Sequence, residues 1–323
     1  MLLAMNVPRP LPLAVPAVVL VVLLAGCGTA RSPVASWSQP SVAPSSAAPS
    51  PSSSPSSSRA ASPSPTPVVV PAGVTVGYAV FDRQAGVFTA QQHQTTQFRS
   101  ASLVKLLIAL DFLWNRGPGY AVPAADRGRL DVMLRSSDDD AASYYWNADG
   151  RDQIVTRMVG RLGLQNTAPP SAAGRTGWGT TGLSAADVVR VYRYLLDSAP
   201  APVRDYVIGN LHQSTPCGTD RYHQAFGIPS AFARPWAAKQ GWHGFGDTPV
   251  DPCSGTGGAA LTVPADSRIL NGAVLHTTGT VGAGDRTIVV VLTQSPTGTT
   301  FAKATALLTR LVRSLPVPGG VLA

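Results

Sequence analysis

A run of β-branched and aromatic residues, Val74-Thr75-Val76-Gly77-Tyr78-Ala79-Val80-Phe81, predicts a strand, and Asp82-Arg83-Gln84-Ala85-Gly86 a turn into a second strand from Val87. From Ser102 to Leu113 the chain is almost wholly apolar and long enough for a buried helix. Helical patterns follow at about 125–135, 140–147 and 151–162. Ser184 and Asp187 form a Ser-x-x-Asp box in which each side chain can satisfy an orphan backbone donor, so a helix starts there and runs through Leu196. After a further helix near 202–212, strand signals return at Ala237–His243, Ile269–Thr278 and Arg286–Gln294, with Gly282-Ala283-Gly284-Asp285 as the last hairpin turn. An amphipathic helix from Phe301 to Leu315 closes the pattern. Two strands, a helical block, three strands and a helix imply an α+β fold. Its antiparallel sheet of about five strands is built from both chain ends and flanked by helices.

The pattern breaks down before Val70. Arg9 precedes an apolar stretch, Leu11 to Leu24, too short and too Pro-interrupted for a membrane span, which ends in Leu24-Ala25-Gly26-Cys27. From Gly28 to about Pro67 nearly every residue is Ser, Pro or Ala, which cannot bury enough apolar surface to fold and stays extended. The N-terminus resembles a bacterial lipoprotein signal, the alternative being an ordinary signal peptide or anchor with an incidental Cys. The resemblance implies cleavage before Cys27 and acylation of its sulfur and new amino group. The expected organisation is a signal peptide over 1–26, a tether over 27–69 and one folded domain over 70–318. Such a protein is exported and lipid-anchored at the outer face of the cell membrane.

The chain has 323 residues, all 17 of its acidic residues are Asp, and only Lys105, Lys239 and Lys303 of its 25 Lys and Arg are Lys. The formal charge of +8 is scattered Arg without a basic run, so no nucleic-acid partner is expected. Cys27, Cys217 and Cys253 show no zinc spacing, and neither metal nor cofactor is expected. In an oxidising exterior Cys217 and Cys253 become candidates for a disulfide, two buried thiols being the alternative.

Ser102 stands at the start of the buried helix with Lys105 one turn on. A Ser hydroxyl needs a base to become a nucleophile, and a Lys in an apolar helix can supply one because desolvation disfavours its charged form. The spacing alone is weak, since Thr300-Phe301-Ala302-Lys303 repeats it, and a helix cap explains Ser102 equally well. Ser137-Asp138-Asp139 and Lys239-Gln240-Gly241 change the balance, because two of the three lysines then stand at motif positions. With these residues the chain resembles the serine β-lactamase and penicillin-binding superfamily, most closely class A, whose signatures are Ser-x-x-Lys, Ser-Asp-Asn and Lys-Thr-Gly.

The resemblance implies that Ser102 is the acylated nucleophile, Lys105 its base or proton relay, and Ser137 the group that passes a proton to the leaving group. Lys239, beside a Gly241 free of side chain, would hold a substrate carboxylate, and the backbone N–H groups of Ser102 and Trp242 would form the oxyanion hole. Strand alternation puts Lys239, Gly241 and His243 on one face, so His243 could look into the cleft. The substrate would be a small molecule or peptide, such as a cell-wall peptide.

Three departures qualify that picture. Class A enzymes deacylate through a Glu, whereas 153–186 contains no acidic residue at all, so an acyl-enzyme should turn over slowly. Asp139 stands where Asn is expected, and an anion there favours the charged form of Lys105. Gln240 replaces a hydroxyl, so one carboxylate contact is lost or replaced by an amide. The step of 35 residues from Ser102 to Ser137 is also short for class A, implying a reduced helical lobe. Composition bias explains why a carboxylate is Asp, but not why that loop has none. Two functions remain: an exported serine acyl-transfer enzyme, or a catalytically silent, lipid-anchored binding or scaffolding module.

Overall fold

The computed structural model describes residues 69–246, 248–253 and 272–323. The expected signal peptide, Cys27 and all of the tether before Val69 lie outside these residues, as do the first residues of the strand expected from Ile269.

Strands β1 (Thr75–Asp82) and β2 (Val87–Gln92) form the first hairpin. After the two-residue strand β3 (Phe98–Arg99), a 3-10 turn over Ala101–Val104 leads into α1 (Lys105–Trp114). Helices α2 (Ala124–Arg135), α3 (Asp139–Ala148) and α4 (Asp152–Leu162) follow, then the short strand β4 (Gly182–Leu183) and helices α5 (Ala185–Arg193) and α6 (Ala201–His212). The single-turn α7 (Ile228–Ala231) precedes β5 (Trp236–His243), and β6 (Ala273–Val281), β7 (Thr287–Ser295) and α8 (Phe301–Ser314) complete the order.

The main sheet has the order β2-β1-β7-β6-β5 and is antiparallel throughout, with the first strand bonded to the last along its whole length. Alternation along the strands divides the core. Ala79, Phe81, Ala237, Ile288, Val290 and Leu292 pack under the helical block of α1 to α6. Val76, Val80, Ala238, Val289 and Val291 face α7 and α8. Helices cover both faces, so β5 is left as an edge strand beside the helical block. Among the described residues no helix is long and apolar enough to cross a membrane.

Helix α1 is buried from Lys105 through Leu113. It carries one structural charge: the Asp111 carboxylate accepts from Arg157 at 2.9 and 2.5 Å and from Arg161 at 2.9 Å, both on α4. A buried carboxylate survives only with such pairing.

Two local details differ from expectation. Ser184 caps α5 by accepting from the Asp187 N–H at 3.2 Å, but Asp187 does not reciprocate. Its carboxylate instead accepts from Gln165 N, Asn166 N and Thr167 Oγ1, tying down the span that precedes β4. The α5 helix also passes into a π turn over Tyr194–Ser198 rather than continuing as α-helix to Leu196. Beyond α8 the chain stays part of the domain: Ala233 N donates to Val321 O at 2.8 Å, and Thr287 Oγ1 to Pro318 O at 2.6 Å.

Candidate active site

The position of Ser102 is set before α1 begins. Strand β3 pairs with β4, and Ser100 N donates to Thr181 O at 2.8 Å, which fixes the chain just ahead of the turn. Ala101 then takes a left-handed backbone, φ 46°, at a cost of about 1–2 kcal/mol for a residue with a Cβ. Ser102 does not cap α1; it lies inside the 3-10 turn, with Lys105 the first residue of the helix proper. By contrast Thr300 caps α8, its Oγ1 accepting from Lys303 N at 3.3 Å, which accounts for the second Ser/Thr-x-x-Lys spacing.

Lys105 Nζ donates to Ser102 Oγ at 2.9 Å, to the Ser137 carbonyl at 2.5 Å and to an Asp139 carboxylate oxygen at 2.5 Å, and lies 3.4 Å from Ser137 Oγ. Lys239 Nζ, from β5, donates to Ser137 Oγ at 2.7 Å. All four side chains of the set Ser102, Lys105, Ser137 and Lys239 are buried. Residues separated by up to 137 positions thus form one hydrogen-bonded chain, with Ser137 between two lysines.

Ser137 sits at a left-handed corner, φ 59°, between α2 and α3. The corner is held from both sides: Asp138 caps α3 by accepting from Ala141 N at 2.7 Å, and Thr219 N donates to the Ser136 carbonyl at 2.9 Å. Thr219 belongs to a hairpin closed by the Cys217–His223 bridge, which the Cys217–Cys253 disulfide, with Cα atoms 5.8 Å apart, ties to the chain at Cys253. From the same hairpin the Asp220 carboxylate accepts from Trp242 Nε1 at 2.8 Å. The disulfide-bonded hairpin therefore touches both the Ser137 corner and the β5 edge.

On β5, Gly241 has a reason to lack a side chain. A Cβ there would come within 3.1 Å of Ser100 O and 3.2 Å of Leu103 Cγ, so the strand could not lie against the Ser102 turn. Gln240 points the other way. Its Nε2 donates to Phe226 O at 2.6 Å and Gln224 O at 3.1 Å, while its buried Oε1 has no partner among the described residues. The amide is therefore spent on the 224–226 backbone. His243, at the end of β5, is half-buried.

Burial, reinforced by the positive charge of Lys105, holds Lys239 well below the usual lysine range, with Asp139 and Asp220 opposing. Burial likewise pushes Asp220 above the usual carboxylate range. His276 on β6, opposite Gly241, is lowered to about 4 by complete burial. It is satisfied as a neutral ring, Nε2 donating to Arg99 O at 2.8 Å and Nδ1 accepting from Thr293 N at 3.2 Å. It thereby clamps the strand that leads to Ser102.

Three contributors were not singled out in the sequence: Asp220, His276 and Trp178. The Trp178 ring centroid is 4.7 Å from Lys105 Nζ, and its Nε1 donates to Ser143 Oγ at 3.1 Å. An indole thus covers Lys105 from the acid-free span. In the sequence this contact shows only as Trp178 being the single Trp between residues 153 and 186. Among the described residues no group of three or more His, Cys, Asp or Glu side chains is placed to hold a metal ion.

No protein-family model matches the chain. A protein described as "Putative lipoprotein LppW", from Mycobacterium tuberculosis and Mycobacterium bovis, is 37% identical over 248 residues, covering 75% of this chain and 70% of that protein. The chain belongs to the LppW family. Among solved structures PBP-A aligns with a TM-score of 0.53 at 14% identity, over 76% of this LppW-family chain and 89% of its own. A class A β-lactamase from Mycobacterium abscessus aligns with a TM-score of 0.51 at 16% identity, over 75% and 93%. At such identities the likeness is one of fold: this LppW-family chain has the class A β-lactamase-like α+β fold, with the antiparallel sheet expected from its sequence.

Proposed function

We propose that this LppW-family chain is a lipid-anchored serine acyl-transfer protein that forms a covalent ester through Ser102. The observation that carries the reading is the buried hydrogen-bonded chain of Ser102, Lys105, Ser137 and Lys239, with links of 2.7 to 3.4 Å between their side chains. A nucleophile, amines able to accept its proton and a hydroxyl that relays protons are the parts acyl transfer needs. Backbone N–H groups of Ser102 and Trp242 would receive the oxyanion. The acyl donor would be a cell-wall peptide or a β-lactam. Deacylation would be slow, because the face of Lys105 that looks toward the acid-free span is covered by Trp178 rather than by a water-activating carboxylate. The Leu24-Ala25-Gly26-Cys27 motif, and the description of the relative as a lipoprotein, support an anchor at Cys27 on the outer face of the membrane.

One observation favours a silent binding module instead: the Lys105 amine is engaged by the Asp139 carboxylate in an ion pair at 2.5 Å. Covalent labelling by a fluorophosphonate separates the readings. Acyl transfer predicts an adduct that Ser102→Ala abolishes. No adduct in the wild type and in Asp139→Asn alike would leave the silent module.

A further inference from the structure

On the side of the sheet covered by α7 and α8, away from the Ser102 turn, lies a cavity of about 1190 Å³. It follows from the way α8 divides its surface. Ala304, Leu307, Leu308, Leu311 and Val312 pack on the sheet. Ala302, Thr305, Ala306 and Thr309 recur one turn apart on a neighbouring stripe and line the cavity, and side chains this small leave a groove where larger ones would fill it.

The two ends of the groove differ. At the start of α8 the wall is aromatic: the rings of Tyr222, Phe245 and Phe226 have centroids 4.8, 5.2 and 5.9 Å from that of Phe301. At the other end, about 18 Å along the helix from Phe301, stand Arg310 and Arg313. Arg313 Nη2 donates to Ser230 O at 2.7 Å, and Arg310 is exposed. Among the described residues no Asp side chain forms an ion pair with either guanidinium.

The hydroxyls that line the groove are already bonded within the chain. Thr309 Oγ1 accepts from Gly227 N at 3.0 Å, and Thr300 Oγ1 from Lys303 N at 3.3 Å. Thr305 Oγ1 donates to Ala302 O at 3.1 Å, Thr299 Oγ1 to Pro296 O at 2.8 Å, Tyr222 Oη to Phe245 O at 3.0 Å and Ser230 Oγ to Ala225 O. A peptide laid here would give up water from its main chain without recovering hydrogen bonds from these groups. Hydrocarbon has no such bonds to lose and gains from burial.

We propose that this groove is a second ligand site, for a single long-chain amphiphile with an anionic head, a fatty acid being the simplest. The hydrocarbon lies along Ala302 to Thr309 toward the Phe301 cluster, and the head meets Arg310 and Arg313. A bilayer surface fits less well, because it cannot enter a concave groove. The exposed Asp251, on the segment that follows Phe245, would also repel anionic lipid spread over the whole face. The site shares no residue with the set around Ser102, so it stands whether or not acyl transfer does.

The test titrates cis-parinaric acid, a fluorescent long-chain fatty acid, and its uncharged methyl ester into the full chain carrying Cys27→Ser, so that no attached lipid competes. The proposal expects saturable one-to-one binding of the acid. Ala306→Trp, at an exposed position on the groove floor, should remove binding of both probes. Arg310→Gln should weaken the acid by about fivefold, the worth of one exposed charge contact, and leave the ester unchanged. No saturable binding by the wild type, or binding that persists in Ala306→Trp, would overturn the site. Equal weakening of acid and ester by Arg310→Gln would overturn the anionic head. Flotation with phosphatidylglycerol vesicles without binding of the free acid would make the face a membrane surface. Binding that appears only when residues 254–271 are replaced by a Gly-Ser linker would make the groove the seat of the chain's own segment. Either result overturns the proposal.

Discussion

Acidification should weaken this fold through a single buried ring. His276 is fully buried and held at about 4, against 6.5 in an unfolded chain, because burial penalises its charged form. Between those values the unfolded chain binds a proton that the folded one refuses, so stability present above pH 6.5 is lost as pH falls toward 4. At about 1.4 kcal/mol for each tenfold change in proton activity, the loss comes to about 2 kcal/mol by pH 5 and about 3 kcal/mol by pH 4. The hydrogen bonds explain why the ring does not simply charge. Nδ1 accepts from Thr293 N, so protonation there would set two donors against each other across 3.2 Å. The assay is urea unfolding, followed by tryptophan fluorescence from pH 7 to 4, on the wild type and His276→Gln. Carboxylates titrate in both proteins and cancel in the difference, leaving the ring. Equal pH dependence in the two proteins would refute the reasoning. A His276 ring that titrates near 6.5 by NMR in the folded wild type would refute it independently.

Further outcomes follow from neighbouring contacts. His212 has the opposite sign: its hydrogen bond to Asp285 raises it, so its contribution is full below pH 6.5 and is lost as pH rises through its folded value, a slope that His212→Asn should remove. Replacing Cys217 and Cys253 by Ser opens a loop of sequence separation 36 and should cost about 4 kcal/mol in the chain-entropy account, read as a lower urea midpoint. Gly241→Ala drives a Cβ to 3.1 Å from Ser100 O, so it should cost about 1–3 kcal/mol by overpacking and slow acylation, while unchanged urea midpoint and labelling would show that β5 can yield.

The sheet was legible because β1, β6 and β7 are long and apolar and turn residues bound its hairpins, whereas β2, with the sequence VFTAQQ, was legible only as the return of the first hairpin. The β3–β4 pair was not, since two residues per strand give no periodicity and its partners lie over 80 positions apart. The candidate site was legible for a compositional reason: in a chain with three lysines, two at motif positions stand out against the Arg background. Asp139 was read as an anion near Lys105, and the contact is a direct ion pair. For Gln240 the sequence left loss or replacement of a contact open, because alternation gives a face but not the 224–226 backbone that takes up the amide. Trp178, Asp220 and His276 reach the site through long-range packing, which no local spacing encodes.

The central claim, that Ser102 forms a lasting acyl-enzyme, is tested most directly by intact-mass analysis over time after mixing with a β-lactam, with peptide mapping of the adduct. The account predicts a single added mass on the peptide carrying Ser102, persisting for many minutes after excess reagent is removed and absent in Ser102→Ala. An adduct that maps elsewhere, no adduct at all, or rapid turnover with the free protein regenerated would contradict it.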